Sequence, residues 1–108
     1  ANIYQAPAAI VVCANKTKAW KRPFDGKITT DIDASILTDH MMLEATELGL
    51  GSVWICYFNP DILKEELNLP ENLEPVNILA LGYSDELDAS AERHKDMRIG
   101  MDELVSYL

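Results

Sequence analysis

Three short apolar runs constrain the fold of this chain more than any other feature. They occupy residues 8–14, 53–58 and 76–82, and each is nearly continuous, rich in β-branched or aromatic residues, and without polar alternation. Runs of this kind are typical of strands that helices cover on both faces. The sequence therefore predicts three inner strands. Cys13 and Cys56 lie in two of these runs and are predicted to be buried thiols.

A long amphipathic helix is predicted between the first two runs, over residues 31–48. Its apolar residues recur at steps of three and four. They are Ala34, Leu37, Met41, Ala45 and Leu48, with Ile36 and Leu43 widening the stripe. Thr30, Asp31 and Asp33 supply the N-cap and first-turn carboxylates. Gly49 is expected to adopt a left-handed conformation after the helix, with Leu50 as the apolar contact of a Schellman motif.

A second, shorter helix is predicted between the second and third runs. Asn59 is a suitable N-cap, and Pro60 has a φ angle that suits the first helical position. Asn68 and Pro70 are expected to end this helix.

The order strand-helix-strand-helix-strand predicts an α/β fold of layered α+β type. Residues 16–30 and 84–100 are predicted to be polar loops, and residues 101–108 fit either a short helix or an edge strand. Strands buried on both faces need helices on both sides, and this chain offers one long helix and one short one. We therefore expect a partner chain or a further segment to cover the rest of the sheet.

The charge balance excludes several classes of protein. Nine Lys and Arg against eighteen Asp and Glu give a net charge of −9, which disfavours nucleic-acid binding. No apolar run approaches the roughly 20 residues of a membrane-spanning helix, and no signal-peptide pattern opens the chain. Two cysteines do not indicate a disulfide scaffold, so a cytoplasmic location is predicted. The first residue is Ala1 and not Met, so we expect that something has been removed from the front.

Several catalytic motifs are incomplete in this sequence. Gly49 and Gly51 flank Leu50, but the third glycine of a dinucleotide-binding motif is absent. These glycines also lead from a helix into a strand, whereas a dinucleotide-binding turn leads from a strand into a helix. His40 and His94 have no neighbours at metal-ligand spacing, and no Gly-x-Ser-x-Gly motif is present. The sequence therefore predicts no catalytic side chain and no metal site.

Basic residues cluster in the two long loops of this acidic chain. The first cluster contains Lys16, Lys18, Lys21, Arg22 and Lys27, and the second contains Arg93, Lys95 and Arg98. One interpretation is a solvated loop with surface ion pairs, such as Glu92 with Lys95. The other is a phosphate site, which suits the planar guanidinium of arginine.

Two sequence blocks combine glycines and apolar residues in a distinctive way. Residues 43–55 are LEATELGLGSVWI, and residues 75–83 are PVNILALGY. Together they resemble the nitroreductase family of flavin enzymes, and APAAIVV at residues 6–12 is similar to a mid-chain strand of that family. The resemblance covers only the C-terminal half to two-thirds of a family domain. We therefore interpret residues 1–108 as a single domain, the C-terminal part of a nitroreductase-like domain.

The resemblance implies a nitroreductase-like sheet flanked by helices, incomplete in this chain. It also implies an FMN-dependent oxidoreductase, usually a homodimer, with the flavin in a groove between subunits. NAD(P)H would reduce the flavin and leave, and the flavin would then reduce a nitro, quinone or similar acceptor. The cofactor carries the redox chemistry in such enzymes, and the protein positions it. An N-terminal segment is the other partner that the resemblance suggests.

The resemblance assigns the flavin ring to one segment. Ile55, Cys56 and Tyr57 align with residues beside the isoalloxazine edge, where a backbone N–H contacts the reactive N5 atom. Many relatives have Gly or Glu where this chain has Cys56. A backbone contact tolerates that difference.

The phosphate of FMN is assigned by the same resemblance to the second basic cluster. Arg98 aligns with a basic residue that holds the phosphate. The family often has a lysine two positions earlier, where this chain has Asp96, so Lys95 and Arg93 are the candidate substitutes.

A rival hypothesis from another class is a non-catalytic α/β fragment without flavin, which only dimerises or binds a small ligand. The visible absorbance of a bound flavin distinguishes the two hypotheses.

Overall fold

Three strands and four helices form the part of the chain that the computed structural model describes, residues 3–85 and 89–108. They are β1 (Ala8–Asn15), α1 (Thr30–Glu47), β2 (Gly51–Ile55), α2 (Pro60–Glu66), β3 (Leu73–Gly82), α3 (Arg93–Met97) and α4 (Met101–Leu104). The first five elements confirm the predicted order, and the architecture is α+β.

The strands form one antiparallel sheet in the order β1-β3-β2, so the last strand in sequence lies at its centre. Residues 77–80 of β3 are all buried. The expectation that helices cover every strand on both faces is wrong for the outer strands, where Ile10 is 39% exposed and Val53 is 41% exposed. The reason is that α1 packs against all three strands, whereas the short α2 contacts only β3.

α1 faces the sheet with small residues. Its buried residues are Ala34, Thr38 and Ala45, which lie on one face at spacings of four and seven. The predicted apolar stripe is therefore wrong in part. Four of its larger members are more than half exposed: Leu37, Leu48, Ile36 and Leu43. α1 thus has a second apolar face that no other element of the described chain covers.

The N-terminus of α1 differs slightly from the prediction. The N-cap is Thr29 rather than Thr30, and its side chain makes no capping hydrogen bond. The carbonyl of Thr29 instead accepts from the N–H groups of Ile32 and Asp33, at 3.0 and 3.1 Å.

Both longer helices end in a Schellman motif. Gly49 has φ +74°, its N–H donates to the Thr46 carbonyl at 3.0 Å, and the Leu50 N–H donates to the Ala45 carbonyl at 2.8 Å. These two bonds define the motif, so the prediction for Gly49 is confirmed. Asn68 occupies the equivalent position after α2, with φ +49°.

β2 is displaced from its predicted position. It was expected over residues 53–58, but it begins at Gly51 and ends at Ile55, because its pairing with β3 stops at the pair formed by Ile55 and Ile78. Cys56 therefore lies outside the sheet and is exposed. The prediction of a buried thiol is wrong at this position.

Two further differences concern β1 and β3. β3 begins at Leu73, earlier than the predicted residues 76–82, since Asn15 at the end of β1 pairs with it there. Cys13 is half-buried in β1, and burial, with a smaller contribution from Glu74, raises the pKa of its thiol.

The second predicted loop contains a helix. α3 forms within residues 84–100, and residues 86–88 of that loop lie outside the described residues. Residues 101–108 begin with the short helix α4 and continue without regular structure.

The chain exposes more surface than a compact protein of its size. Its accessible area is 9044 Å², whereas a compact 12.1 kDa monomer exposes roughly 6000 Å². Its radius of gyration is 17.3 Å, compared with about 13 Å for a compact domain of this length. This agrees with the expectation that further protein covers part of the sheet and α1. No helix among the described residues has the length and apolarity to cross a membrane.

Candidate functional site

The turn between β2 and α2 places three candidate residues in succession. Ile55 is the last residue of β2 and is half-buried opposite Ile78. Cys56 and Tyr57 follow it and are exposed, Tyr57 completely. The structure thus presents the two residues after the strand on the surface of the described chain.

Hydrogen bonds on one side of Cys56 and Tyr57 fix the course of this turn. The Phe58 N–H donates to the Cys56 carbonyl at 3.2 Å. The Asn59 side-chain oxygen then accepts from the N–H groups of Asp61 and Ile62, at 3.0 and 3.3 Å, which confirms the predicted N-cap of α2. The start of α2 is therefore anchored close to the exposed residues.

The amides of Cys56 and Tyr57 donate no hydrogen bond to any residue within 3–85 or 89–108. Two adjacent donors on an ordered turn suit a ligand that carries hydrogen-bond acceptors. A third donor nearby in sequence is also unpaired, since Trp54 Nε1 is buried and has no acceptor in the described part of the chain. Buried donors nearly always have partners, so the environment of β2 is incomplete in this chain.

The second basic cluster lies on α3 and the residue that follows it. The Arg93 guanidinium donates through Nη1 to the carbonyls of Ala89 and Ser90, both at 2.9 Å. Lys95 forms an ion pair with Glu92, which confirms the predicted surface pair. Arg98, at the C-cap of α3, has no hydrogen bond or ion pair with another described residue.

His94 joins these cations electrostatically. The nearby positive charge of Arg98 is the main cause that lowers the pKa of His94, followed by partial burial and then by Arg93. We call His94, Arg93 and Arg98 the α3 cluster. In a chain of net charge −9, these three basic residues form a local concentration of basic side chains.

The first basic cluster is partly neutralised by carboxylates. Lys16 lies 3.3 Å from Glu74, which also lies 3.4 Å from Lys64. Arg22 forms a two-point ion pair with Asp25 and lowers the pKa of that carboxyl. For Lys16 and Arg22 the structure therefore favours surface pairs over a phosphate site.

The described residues do not bring the two candidate groups together. α3 and α4 pack against none of the other helices and strands, including β2 and α2 on either side of the turn. The sequence alone did not assign His94 to this cluster, because residues 84–100 were predicted to be a loop. The signal was the spacing of four between His94 and Arg98, which places them on one side of a helix.

Groups of three or more His, Cys, Asp or Glu side chains arranged for a metal ion are absent from residues 3–85 and 89–108.

Comparison with known proteins relates the chain to one family. The sequence profile of the Nitroreductase family matches residues 1–83. A curated protein of Archaeoglobus fulgidus, described as a proposed NADH dehydrogenase/NAD(P)H nitroreductase, is 40% identical over 88 residues. That match covers 77% of this chain and 48% of the relative.

Solved structures give the same result. A nitroreductase family protein from Clostridium difficile 630 superposes with a TM-score of 0.92 at 64% identity, over 99% of this chain and 62% of that protein. An FMN-dependent nitroreductase from Clostridium difficile R20291 superposes with a TM-score of 0.66 at 32% identity, over 87% of this chain and 57% of that protein. The chain therefore spans less than two thirds of the length of each of these relatives.

Proposed function

This chain belongs to the nitroreductase family, and we propose that it is part of an FMN-dependent oxidoreductase. The proposed enzyme takes electrons from NAD(P)H and passes them to a nitro, quinone or similar small acceptor. It is proposed to be a cytoplasmic homodimer. Family membership supports the class of reaction, and one similar solved protein is described as FMN-dependent.

The observation that carries the cofactor proposal is the pair of unpaired amides at Cys56 and Tyr57. The flavin ring has acceptor atoms along one edge, including N5, and backbone N–H groups are suitable donors to them. Because the donors belong to the backbone, the identity of the side chain at Cys56 matters little for this contact. The donor set of the turn therefore fits a flavin.

The α3 cluster supplies the second requirement, a cationic site for a phosphate monoester. Arg98 is the proposed ligand, since Lys95 is engaged by Glu92 and the Arg93 guanidinium is partly occupied by two carbonyls. A planar guanidinium binds phosphate with two parallel hydrogen bonds. Arg93 and Lys95 remain candidate ligands whose present partners a phosphate would have to displace.

FMN, when bound, would supply the redox chemistry, accepting electrons from the nicotinamide and delivering them to the acceptor. The contribution of this chain is positional. The turn after β2 donates hydrogen bonds to the ring edge, and Arg98 holds the phosphate end. Neither role requires an acid–base side chain.

The two sites are separate in the described chain, so we propose that other protein completes the flavin groove. The unpaired Trp54 Nε1, the uncovered apolar face of α1 and the large accessible area support this proposal. The additional protein is proposed to be the partner subunit or an N-terminal segment.

Purification of the whole protein tests the proposed function. We expect a yellow protein with the visible absorbance of a flavin, which bleaches when NADH or NADPH is added without oxygen and returns when a quinone is added. A protein that binds no FMN, even when FMN is added in excess, would instead support the rival hypothesis of a non-catalytic fragment.

A further inference from the structure

The loop before α1 and α1 itself carry opposite charges, and both expose apolar side chains. We propose that this loop of one copy of the chain docks on α1 of a second copy. Lysines of the loop meet carboxylates of the helix, and aromatic rings of the loop meet its uncovered apolar face. This inference rests on the proposed homodimer and names two surfaces that form it.

Residues 18–28 form a hairpin whose course is fixed by its own hydrogen bonds, and we call it the basic hairpin. An antiparallel bridge joins its two arms. The Arg22 N–H donates to the Lys27 carbonyl at 2.9 Å, and the Gly26 N–H donates to the Arg22 carbonyl at 2.8 Å. The Arg22 guanidinium also pairs with Asp25 at the tip. A surface that is already ordered loses little conformational entropy when it binds a partner.

The basic hairpin presents aromatic rings and unpaired cations to solvent. Phe24 at its tip is 94% exposed, and Trp20 is 60% exposed. Three of its lysines form no ion pair with another described residue: Lys18, Lys21 and Lys27. Burial of large aromatic rings is favourable, and the lysines around them attract a surface rich in carboxylates.

α1 is such a surface. Its 18 residues include no lysine or arginine and five carboxylates: Asp31, Asp33, Asp39, Glu44 and Glu47. None of the five forms an ion pair with another described residue. Asp39 lies three residues after Ile36 and four before Leu43, and Glu47 lies four residues after Leu43. Residues at these spacings are neighbours on a helix, so both carboxylates border the exposed apolar residues of α1.

Each chain therefore has two complementary surfaces that it does not satisfy itself. Lys18 and Asp33 border one depression between β1 and α1, yet no lysine of the basic hairpin pairs with a carboxylate of α1 within the described residues. A second copy brings the opposite charge to both surfaces, because a twofold axis makes the contact between hairpin and helix twice. The same arrangement buries Phe24 against the apolar face that contains Ile36 and Leu43.

The net charge of the chain makes this contact testable. Two copies of charge −9 repel each other, so removal of carboxylates strengthens association if net charge alone governs it. The proposed contact requires the opposite result for Asp39→Lys/Glu47→Lys. This variant is less acidic, but it places lysines of α1 against the lysines of the hairpin of the second copy.

The first experiment measures the dimer dissociation constant of the whole protein by sedimentation over a dilution series. We expect Lys21→Glu/Lys27→Glu and Asp39→Lys/Glu47→Lys each to raise this constant by about tenfold or more, since each places like charges against one another in both contacts.

The matched control is Glu65→Lys/Glu66→Lys, which makes the same change of charge at two exposed residues of α2. It is expected not to raise the dissociation constant. A control variant that weakens the dimer as much as the α1 variant would overturn the proposal, because the effect would not depend on α1.

The second experiment mixes the two charge variants. In a mixed dimer the glutamates of one hairpin meet the lysines of the other chain's α1, and the unchanged hairpin meets the unchanged helix. Both contacts are then attractive, so we expect the mixture to dimerise nearly as tightly as the parent. A contact between the hairpin and α1 of the same chain would leave the mixture as dissociated as its components, and that result would overturn the proposal.

Phe24→Ala tests the apolar part of the contact. We expect the dimer dissociation constant to rise by about fivefold or more, because buried aromatic residues contribute strongly to interfaces. The far-ultraviolet circular dichroism is expected to remain that of the parent, since Phe24 is 94% exposed in the single chain. An unchanged dissociation constant would show that the tip of the hairpin does not dock, and would overturn the proposal.

The outcomes separate this inference from the proposed homodimer. A parent protein that stays monomeric contradicts the homodimer itself. A parent that dimerises with the same dissociation constant as both charge variants retains the homodimer and overturns the docking of the basic hairpin on α1, because other protein then covers the helix. A tighter dimer in Asp39→Lys/Glu47→Lys also overturns the docking, because net charge then governs association.

Discussion

Asn77 on β3 and Thr38 on α1 form a hydrogen bond across the helix–sheet interface, and neither residue is accessible to solvent. The Asn77 Nδ2 donates to Thr38 Oγ1 at 3.0 Å, and Thr38 Oγ1 donates to the Ala34 carbonyl at 2.8 Å. This pair is the polar centre of a core made otherwise of small and aliphatic side chains. It fixes the position of α1 along the central strand, and α1 leads directly into β2 and the candidate flavin-binding turn.

Removal of one partner of this buried pair is expected to destabilise the fold. Asn77→Leu leaves the Thr38 hydroxyl without its partner, and the expected loss in the free energy of unfolding is about 1–3 kcal/mol. Thr38→Val/Asn77→Leu is expected to recover part of the loss, since an apolar pair leaves no polar group unpaired. Urea denaturation of the parent, the single variants Asn77→Leu and Thr38→Val, and the double variant gives the coupling energy.

Thr46 offers the matched control for that cycle. It lies on the same helix and makes the same bond to the carbonyl four residues earlier, at 2.9 Å, but it is exposed. Thr46→Val is expected to change stability by less than about 0.5 kcal/mol. A loss equal to that of Thr38→Val would show that the helical bond, and not the contact with Asn77, is what matters.

Gly49 provides a prediction about backbone conformation alone. A side chain at this position would have no atom within 4 Å of its Cβ, so any penalty arises from the positive φ of +74°. Gly49→Val is expected to destabilise the protein by roughly 1–2 kcal/mol, measured by thermal denaturation. Gly49→Asn is expected to cost less, because asparagine tolerates this conformation and Asn68 has it after α2. Equal losses for both variants would contradict the assignment.

The elements that the sequence predicted well are those determined by local chemistry. The caps at Gly49 and Asn59 and the apolar runs of β1 and β3 depend on a few neighbouring residues, and they lie close to where they were expected. The end of β2 at Ile55 depends on pairing with β3, which is distant in sequence. Its prediction therefore failed, and the exposure of Cys56 was missed with it.

The face of α1 that packs on the sheet is a second feature that the sequence did not predict correctly. The helix carries apolar residues around most of its circumference, so periodicity alone does not identify the buried side. The structure buries Thr38 and exposes Leu37, because small residues allow close approach to the strands. At the candidate site, Arg98 was identified through the family resemblance, whereas the electrostatic link to His94 required α3, whose five residues have no apolar pattern.

Glu74 gives a prediction about pH dependence. Its hydrogen bond to Lys16 is the main cause that lowers the pKa of Glu74, and Lys64 adds to this effect. A carboxyl with a lowered pKa in the folded state stabilises the fold above its unfolded pKa of about 4.3, and that contribution disappears as the pH falls through the folded value. The melting-temperature difference between the parent and Glu74→Gln is therefore expected to be constant near neutral pH and to vanish in acid.

Glu71→Gln is the control for this comparison, because it removes the same charge from an exposed residue that forms no ion pair within the described residues. This control separates the effect of losing the Glu74 ion pairs from the effect of changing the net charge of −9. The same pH dependence in Glu71→Gln would attribute the effect to net charge.

The uncovered face of α1 predicts association with another chain or segment. Ile32, Ile36 and Leu43 are each more than half exposed there. Contiguous apolar surface of this kind is typical of an interface. Leu43→Glu is expected to shift the sedimentation profile of the whole protein toward smaller species, while Thr46→Glu, which adds the same charge at a polar exposed position, is expected to leave it unchanged. Sedimentation of this chain by itself as a well-folded monomer at micromolar concentration would contradict the prediction.

Arg98 provides the most direct test of the phosphate site. A charge-assisted, two-point contact to phosphate contributes roughly 1.5–3 kcal/mol, and each 1.4 kcal/mol is about tenfold in affinity. Arg98→Ala in the whole protein is therefore expected to weaken FMN binding by about ten- to a hundredfold. Riboflavin binding and the thermal stability of the flavin-free protein are expected to change little, because Arg98 has no partner among the described residues. Fluorescence quenching during titration measures both affinities.

Lys95→Ala is the matched control, since it removes the same charge from the same helix but from a side chain already paired with Glu92. Its effect on FMN affinity is expected to be clearly smaller than that of Arg98→Ala. If Lys95→Ala or Arg93→Ala weakens FMN binding and Arg98→Ala does not, the phosphate ligand is Lys95 or Arg93, whichever substitution has the effect. If Arg98→Ala weakens the binding of riboflavin as much as that of FMN, Arg98 supports the fold of this segment. Loss of a phosphate ligand would not weaken riboflavin binding, because riboflavin has no phosphate.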